Sequence, residues 1–221
     1  KTANVACNNI KHSTMHKIIL TFFISVVIFN NVMSQETFEN PKLKSLIDSL
    51  YQIDQKVQQD FIDAFQRGAS MDSIKIYEDL KKKAFIRHIP IIKKIVNEHG
   101  YPTVDKVGKE SSINFFPLIQ HSDNDIDFQS NMLPLIKNQV VKKLVSGWEY
   151  AYLYDRIKIN TGKEQLYGTQ LNYDNQNNAI PQKIKDKENV NKRRQALGME
   201  SLEDYSANAP AITHQRAKLN T

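Results

Sequence analysis

Apolar positions recur in steps of three and four from Leu43 onward: Leu43, Leu46, Leu50, Ile53, Val57, Phe61 and Ala64, with Ile47 and Phe65 widening the stripe. That spacing keeps one face of a 3.6-residue helix apolar. Asn40-Pro41 supplies a cap and a first helical position, and Gly68 a stop, so the pattern predicts a helix over 41–66, about 39 Å long. A second helical region spans 72–98, capped by Ser70 or Asp72 and closed by Gly100-Tyr101-Pro102. Pro90 inside it predicts a kink or a break. After a loop at 100–109, helices are expected over about 110–121, 125–145, 148–160 and 186–196, with a short last turn at 202–205. Residues 165–171 alternate like a strand, 174–178 are a polar turn, and 181–184 return as a partner strand. The expected fold is mainly α: a single helical domain of about six helices with one small β-hairpin.

The chain start reads differently. A short basic stretch, Met15-His16-Lys17, precedes an apolar run from Ile18 to Phe29, and a small residue, Ser34, follows. A run of about a dozen apolar residues fits the core of a secretory signal peptide. A membrane-spanning helix needs roughly 20. Residues 1–34 are therefore expected to be an upstream extension plus a signal peptide removed after Ser34, and the protein to be exported, periplasmic or secreted. The remaining chain divides into long N-terminal helices at 35–97, a motif-bearing domain at 98–206 and a flexible tail at 207–221. No transmembrane segment is expected in the mature chain. Cys7, the one cysteine, precedes the apolar run, so a mature chain starting at Gln35 has no thiol for nucleophilic or redox chemistry.

Removing that segment also changes the charge. The whole chain carries 30 Lys and Arg against 24 Asp and Glu, a formal net charge of +6. Subtracting Lys1, Lys11 and Lys17 leaves 27 basic against 24 acidic residues, a net of +3. Lys81-Lys82-Lys83 and Lys192-Arg193-Arg194 read as solvated helix faces, because neither is interleaved with aromatics for base stacking. No nucleic-acid partner is expected. A small molecule or a protein is the expected partner, with no cofactor and no metal.

The densest polar segment is Gln120-His121-Ser122-Asp123-Asn124-Asp125-Ile126-Asp127. His121 ends one expected helix and the aspartates start the next. One reading is helix capping. The other is an imidazole held against carboxylates on a tight turn, either as a general base with its orienter or as a partial metal site. A calcium EF-hand is excluded: Phe128 stands where glycine is required and Pro134 where the bidentate Glu belongs. The second segment is Asp155-Arg156 with Gln165, Tyr167, Gly168, Thr169 and Gln170. Neighbouring Asp155 and Arg156 point in different directions on a helix, so they serve either as structural pairs or as pocket walls. Candidate catalytic residues are thus His121, Asp123, Asp125 and Asp155. Candidate ligand-binding residues are Arg156, Gln165, Tyr167, Gln170 and Glu110.

Taken in order, Gly100-Tyr101-Pro102, Val107-Gly108-x-Glu110, Gln120-His121-x-Asp123-x-Asp125-x-x-Phe128-Gln129, Tyr152-Leu153-x-Asp155-Arg156, Gln165-x-Tyr167-Gly168-Thr169-Gln170 and Arg194-x-x-x-Gly198 resemble an uncharacterised bacterial family. That family is found in exported proteins of Bacteroidetes-type bacteria and in soluble proteins of actinomycetes. The resemblance covers about 98–206 and implies a shared architecture and a shared polar site, without an assigned reaction. Two functions remain open on the sequence. One is a polar ligand or catalytic pocket, hydrolase-like if enzymatic, with His121 as base. The other is a non-catalytic periplasmic binding or scaffolding module.

Overall fold

Helix α1 (Pro41–Gln66) begins where its sequence predicts, with the Asn40 side chain accepting the Leu43 N–H at 2.9 Å. Ser70 caps α2 (Met71–His99) by accepting the Ser73 N–H at 3.3 Å. The expected kink or break does not divide α2, which is one helix through Pro90. Pro90 is exposed, as is Ile86, whose carbonyl loses its donor there, so water can serve that carbonyl. Ile89, Ile92 and Ile95 hold the opposite face in the core.

Four shorter helices follow: α3 (Val104–Val107), α4 (Lys109–Gln120), α5 (Ile126–Val141) and α6 (Gly147–Asn160). Helix α3 lies in a stretch expected to be a plain loop, and it places Val107 fully inside the core. Helix α5 stops four residues before the expected 145. Lys143 takes a left-handed φ of 60°, and the Leu144 N–H folds back to the Gln139 carbonyl at 3.0 Å. That is a Schellman closure without glycine.

Strands β1 (Leu171–Tyr173) and β2 (Ala179–Pro181) form an antiparallel hairpin with Asn172 opposite Ile180. A 3₁₀ turn (Lys187–Asn189), α7 (Val190–Ala196) and α8 (Leu202–Asn208) follow. The fold is mainly α with one small hairpin, as expected. It has eight α-helices among the described residues, the additions being α3 and the longer α8.

The computed structural model describes residues 38–209 except 175 and 177, all within one unit, Glu36–Thr221. The expected signal peptide and the end of the expected tail, from 210, lie outside the described residues. Leu43, Ile47 and Leu50 of α1 share one core with Ile92 and Ile95 of α2, Phe115, Phe116 and Ile119 of α4, Met132 and Ile136 of α5, and Leu153 of α6. A smaller cluster of Phe61, Ala64, Phe65 and Ile74 closes the far end of the α1–α2 pair. Among the described residues, no helix is long and apolar enough to cross a membrane.

Candidate functional site

The buried stripe of α1 is apolar except at one position. Leu43, Ile47, Leu50, Phe61, Ala64 and Phe65 are buried, and Asp54 sits among them at 0% exposure. A carboxylate inside an apolar stripe needs a partner. That partner is His121, the C-terminal cap residue of α4, whose Nδ1 lies 2.9 Å from both Asp54 oxygens. Gln55 Nε2 donates a further bond to Asp54 at 2.9 Å. Phe85 of α2 stacks on the imidazole, with ring centres 4.5 Å apart and planes 14° apart. When Nδ1 carries the proton that Asp54 accepts, Nε2 presents its lone pair. Nε2 makes no hydrogen bond among the described residues, and it is not sealed from solvent.

One turn along α2 from Phe85, His88 is 5% exposed and its Nδ1 is buried without a hydrogen-bond partner among the described residues. Burial holds its pKa below the ordinary value of 6.5, with the Asp54 charge opposing that effect and His121 adding to it. Three titratable groups from three helices thus share one electrostatic neighbourhood.

Asp123, on the turn after His121, receives a fork from Arg156 of α6: Nε at 2.8 Å and Nη2 at 2.5 Å. Asn160 and Gln129 also donate to it, at 2.9 and 3.1 Å. Burial pushes the Asp123 pKa up, but the Arg156 bonds and charge, Gln129 and His121 together hold it below the ordinary 3.8. Gln129 is fully buried and also ties the Ile119 and Gln120 carbonyls at the end of α4. Asp125 caps α5 by accepting the Phe128 N–H at 2.9 Å and pairs with Lys93, whose ammonium, first among the causes, lowers its pKa. Glu110 lies exposed in the first turn of α4, and none of these bonds reaches it.

The remaining candidates form a separate group. Asp155 is fully buried and accepts the N–H groups of Leu166, Tyr167 and Thr169 and the Thr169 hydroxyl, all within 2.8–3.1 Å. Burial outweighs those donors and raises its pKa. The Gln165 side chain spends its amide on the Gln170 and Gln182 carbonyls and its oxygen on the Gln170 N–H. Tyr167 packs edge-on against Tyr150 and Tyr154. Asp155 and Arg156 do point apart. Arg156 bonds Asp123, on which His121 acts only through its charge, while Asp155 clamps the following loop, and among the described residues the two groups share no side-chain bond.

The same loop accounts for a shifted hairpin. Residues 165–171 were expected to be a strand paired with 181–184, but Asp155 takes the N–H groups a ladder would need, and Gly168 sits at φ 72°. Pairing therefore starts at Leu171, preceded by one isolated bridge between Gln165 and Ile184.

Residues 41–210 match the model of DUF6624, a family of unknown function. The chain belongs to this family. No curated protein and no solved structure matches it. The DUF6624 match begins at the first residue of α1, so it takes in Asp54, Phe85 and His88, which lie outside the segment that carries the sequence resemblance.

Those three residues were missed by reasoning from motifs. Asp54 was detectable, being the charged residue at helical spacing within the Leu50-to-Phe61 stripe. Tyr101 and Glu149 were also missed. The Tyr101 hydroxyl donates to Glu149 at 2.6 Å inside the core, and burial lifts the Glu149 carboxyl to about 7. Ser146-x-x-Glu149 has the spacing of a capping box, which was the available signal.

One reading of a basic run is corrected. Arg194 does not belong to a solvated face: it is 1% exposed and donates to the Tyr167 and Glu200 carbonyls at 2.7 Å. Arg193 likewise holds the Leu166, Lys185 and Asp186 carbonyls. Both arginines brace the loop that Asp155 clamps. Among the described residues, no three His, Cys, Asp or Glu side chains are placed to hold a metal ion.

Proposed function

We propose that this DUF6624 chain is an exported acid–base protein of hydrolase type, with His121 Nε2 as general base and Asp54 as the carboxylate that orients it. The observation that carries this reading is the imidazole fixed at 2.9 Å to a fully buried carboxylate, with its second nitrogen unbonded among the described residues and not sealed from solvent. A base requires that arrangement: one ring nitrogen held, the other aimed at a reacting proton. Arg156, with Asp123 at its Nε and Nη2, is proposed as the anion contact beside it. Asp155 and Gln165, spent on loop backbone, are proposed to brace the loop after α6 together with Tyr167 and Gln170. The presequence pattern supports export.

The test is hydrolysis of a panel of chromogenic carboxylic and phosphoric esters by the purified chain, His121→Gln and Asp54→Asn. The expected result is a rate that falls about 10²-fold or more in His121→Gln, with a smaller fall in Asp54→Asn and an altered pH profile. A rate that His121→Gln leaves unchanged excludes the reading.

A second reading, a non-catalytic binding module, is favoured by apolar exposure on the long helices. Ile53, Ile76 and Leu80 are each at least half exposed, and a groove of about 450 Å³ runs beside Ile53, Val57 and Leu80. This reading expects every ester rate to be insensitive to His121.

A further inference from the structure

Between the end of α6 and the chain leaving β2 lies an open cleft of about 700 Å³, lined by Tyr154, Lys158, Lys163, Leu166, Lys183 and Lys185. Its charge is one-sided. Four lysines face one carboxylate, Glu164, which pairs with Lys183 at 2.7 Å. The Lys158 ammonium lies over the Tyr154 ring, 4.9 Å from its centre. Among the described residues, no carboxylate and no hydrogen bond engages the ammonium groups of Lys163 or Lys185.

A bland account covers only part of this. Lysine near a helix C-terminus suits the helix dipole, and Lys158 in the last turn of α6 fits it. Lys183 and Lys185 belong to the segment after β2, and the carbonyl dipoles of α6 do not explain why they converge there. The segment is held in place from behind: Arg193 grips the Leu166 and Lys185 carbonyls, and the Lys185 N–H bonds the Gln165 carbonyl at 2.9 Å. The lysines therefore project from a braced backbone.

We propose that this cleft binds a small, multiply charged anion bearing phosphate or carboxylate groups. Three features favour a small anion over a nucleic acid. The volume is that of a small-molecule site. Four lysines meet in one concavity, whereas a polymer needs a continued track. The one aromatic face on the cleft is occupied by Lys158, so it offers no platform for a base. The cleft shares no lining residue with the His121 centre, so the proposal stands apart from the acid–base reading.

The test is an NMR titration of the full chain at low salt with pyrophosphate and, separately, citrate. Saturable shifts are expected in the amides of 162–166 and 182–185, weakening as salt is added. The double variant Lys163→Gln/Lys185→Gln, altered only at exposed side chains, should keep its amide spectrum elsewhere and bind roughly tenfold more weakly. The anion with the tighter isotherm assigns phosphate or carboxylate chemistry. Three outcomes overturn the proposal: no saturable shift with either anion, equal affinity in the double variant, or a single-stranded oligonucleotide that binds more tightly with shifts spreading beyond the cleft.

Discussion

At the residue scale, the informative side chains are those whose chemistry conflicts with their surroundings. Asp54 and Glu149 are carboxyls inside apolar packing, and each resolves the conflict differently. Asp54 has an imidazole against both its oxygens. Glu149 has a phenol, and burial lifts its pKa from 4.5 to about 7, against the Tyr101 and Ser146 hydrogen bonds that favour the charged form. Tyr101 in turn is pushed well above 10 by burial and by the adjoining carboxylate. The folded Glu149 pKa lies above the unfolded one, so between those values the folded protein holds a proton the unfolded chain has released. Stability from this group is complete below about 4.5, declines as pH rises and is gone above about 7. The decline amounts to something on the order of 3 kcal/mol. Asp123 and Asp125 act with the opposite sign, and theirs is lost only as pH falls below the ordinary aspartate range. Thermal unfolding followed from pH 4.5 to 8 should show a falling midpoint in the wild type and a flatter profile in Glu149→Gln, which keeps an acceptor for Tyr101. Parallel profiles would mean that Glu149 does not titrate in this window.

At the element scale, hydrogen bonds from side chains to backbone decide what the local sequence leaves open. Helices α1, α4 and α6 follow their apolar spacing and caps closely, because period and punctuation act over a few residues. The hairpin does not. Alternation in 165–171 describes a strand, and only the presence of Asp155, ten residues earlier, removes its donors. Gly168 fits the same picture: at φ 72°, a methyl there would meet Leu202 Cδ1 at 2.5 Å and Ile184 Cδ1 at 3.0 Å. The Asp155 clamp is testable directly. Asp155→Ala leaves three N–H groups and one hydroxyl without this acceptor, those of Thr169 buried and those of Leu166 and Tyr167 part-buried, a cost of about 3 kcal/mol. Hydrogen exchange should accelerate at Leu166, Tyr167 and Thr169 while α1 and α2 keep their protection. Exchange at those three amides matching the wild type would show that the clamp is not what orders the loop. The site was legible to a similar depth. His121, Asp123 and Arg156 stand in dense polar motifs; Asp123 and Arg156 pair, and His121 acts on Asp123 through its charge. The buried partner of His121, Asp54, lies 67 positions before it, and no local pattern links the two.

At the scale of the whole molecule, helices α1 and α2 are the two longest elements, yet they do not stand apart from the segment they precede. The sequence divides the chain near 98, because the motifs begin there. The core ignores that division: Leu43, Ile47, Leu50, Ile92 and Ile95 share one cluster with Phe115, Ile119, Met132 and Leu153. Each such side chain contributes about 1.5–3 kcal/mol by leaving water. Five of them therefore supply roughly 10 kcal/mol, comparable with the entire stability of an ordinary domain. A fragment starting at residue 98 would expose the inner faces of α4, α5 and α6 and leave His121 without Asp54 or Phe85. Such a fragment should show helical circular dichroism without a cooperative thermal transition, and it should bind dyes that report exposed apolar surface. The chain from residue 38 onward should unfold in one transition. A sharp, reversible transition in the shorter fragment would show instead that the motif-bearing segment folds alone and that α1 and α2 are an addition to it. In that case the Asp54–His121 pair would be a contact between separable parts, and the acid–base reading would have to rest on residues after 98 alone.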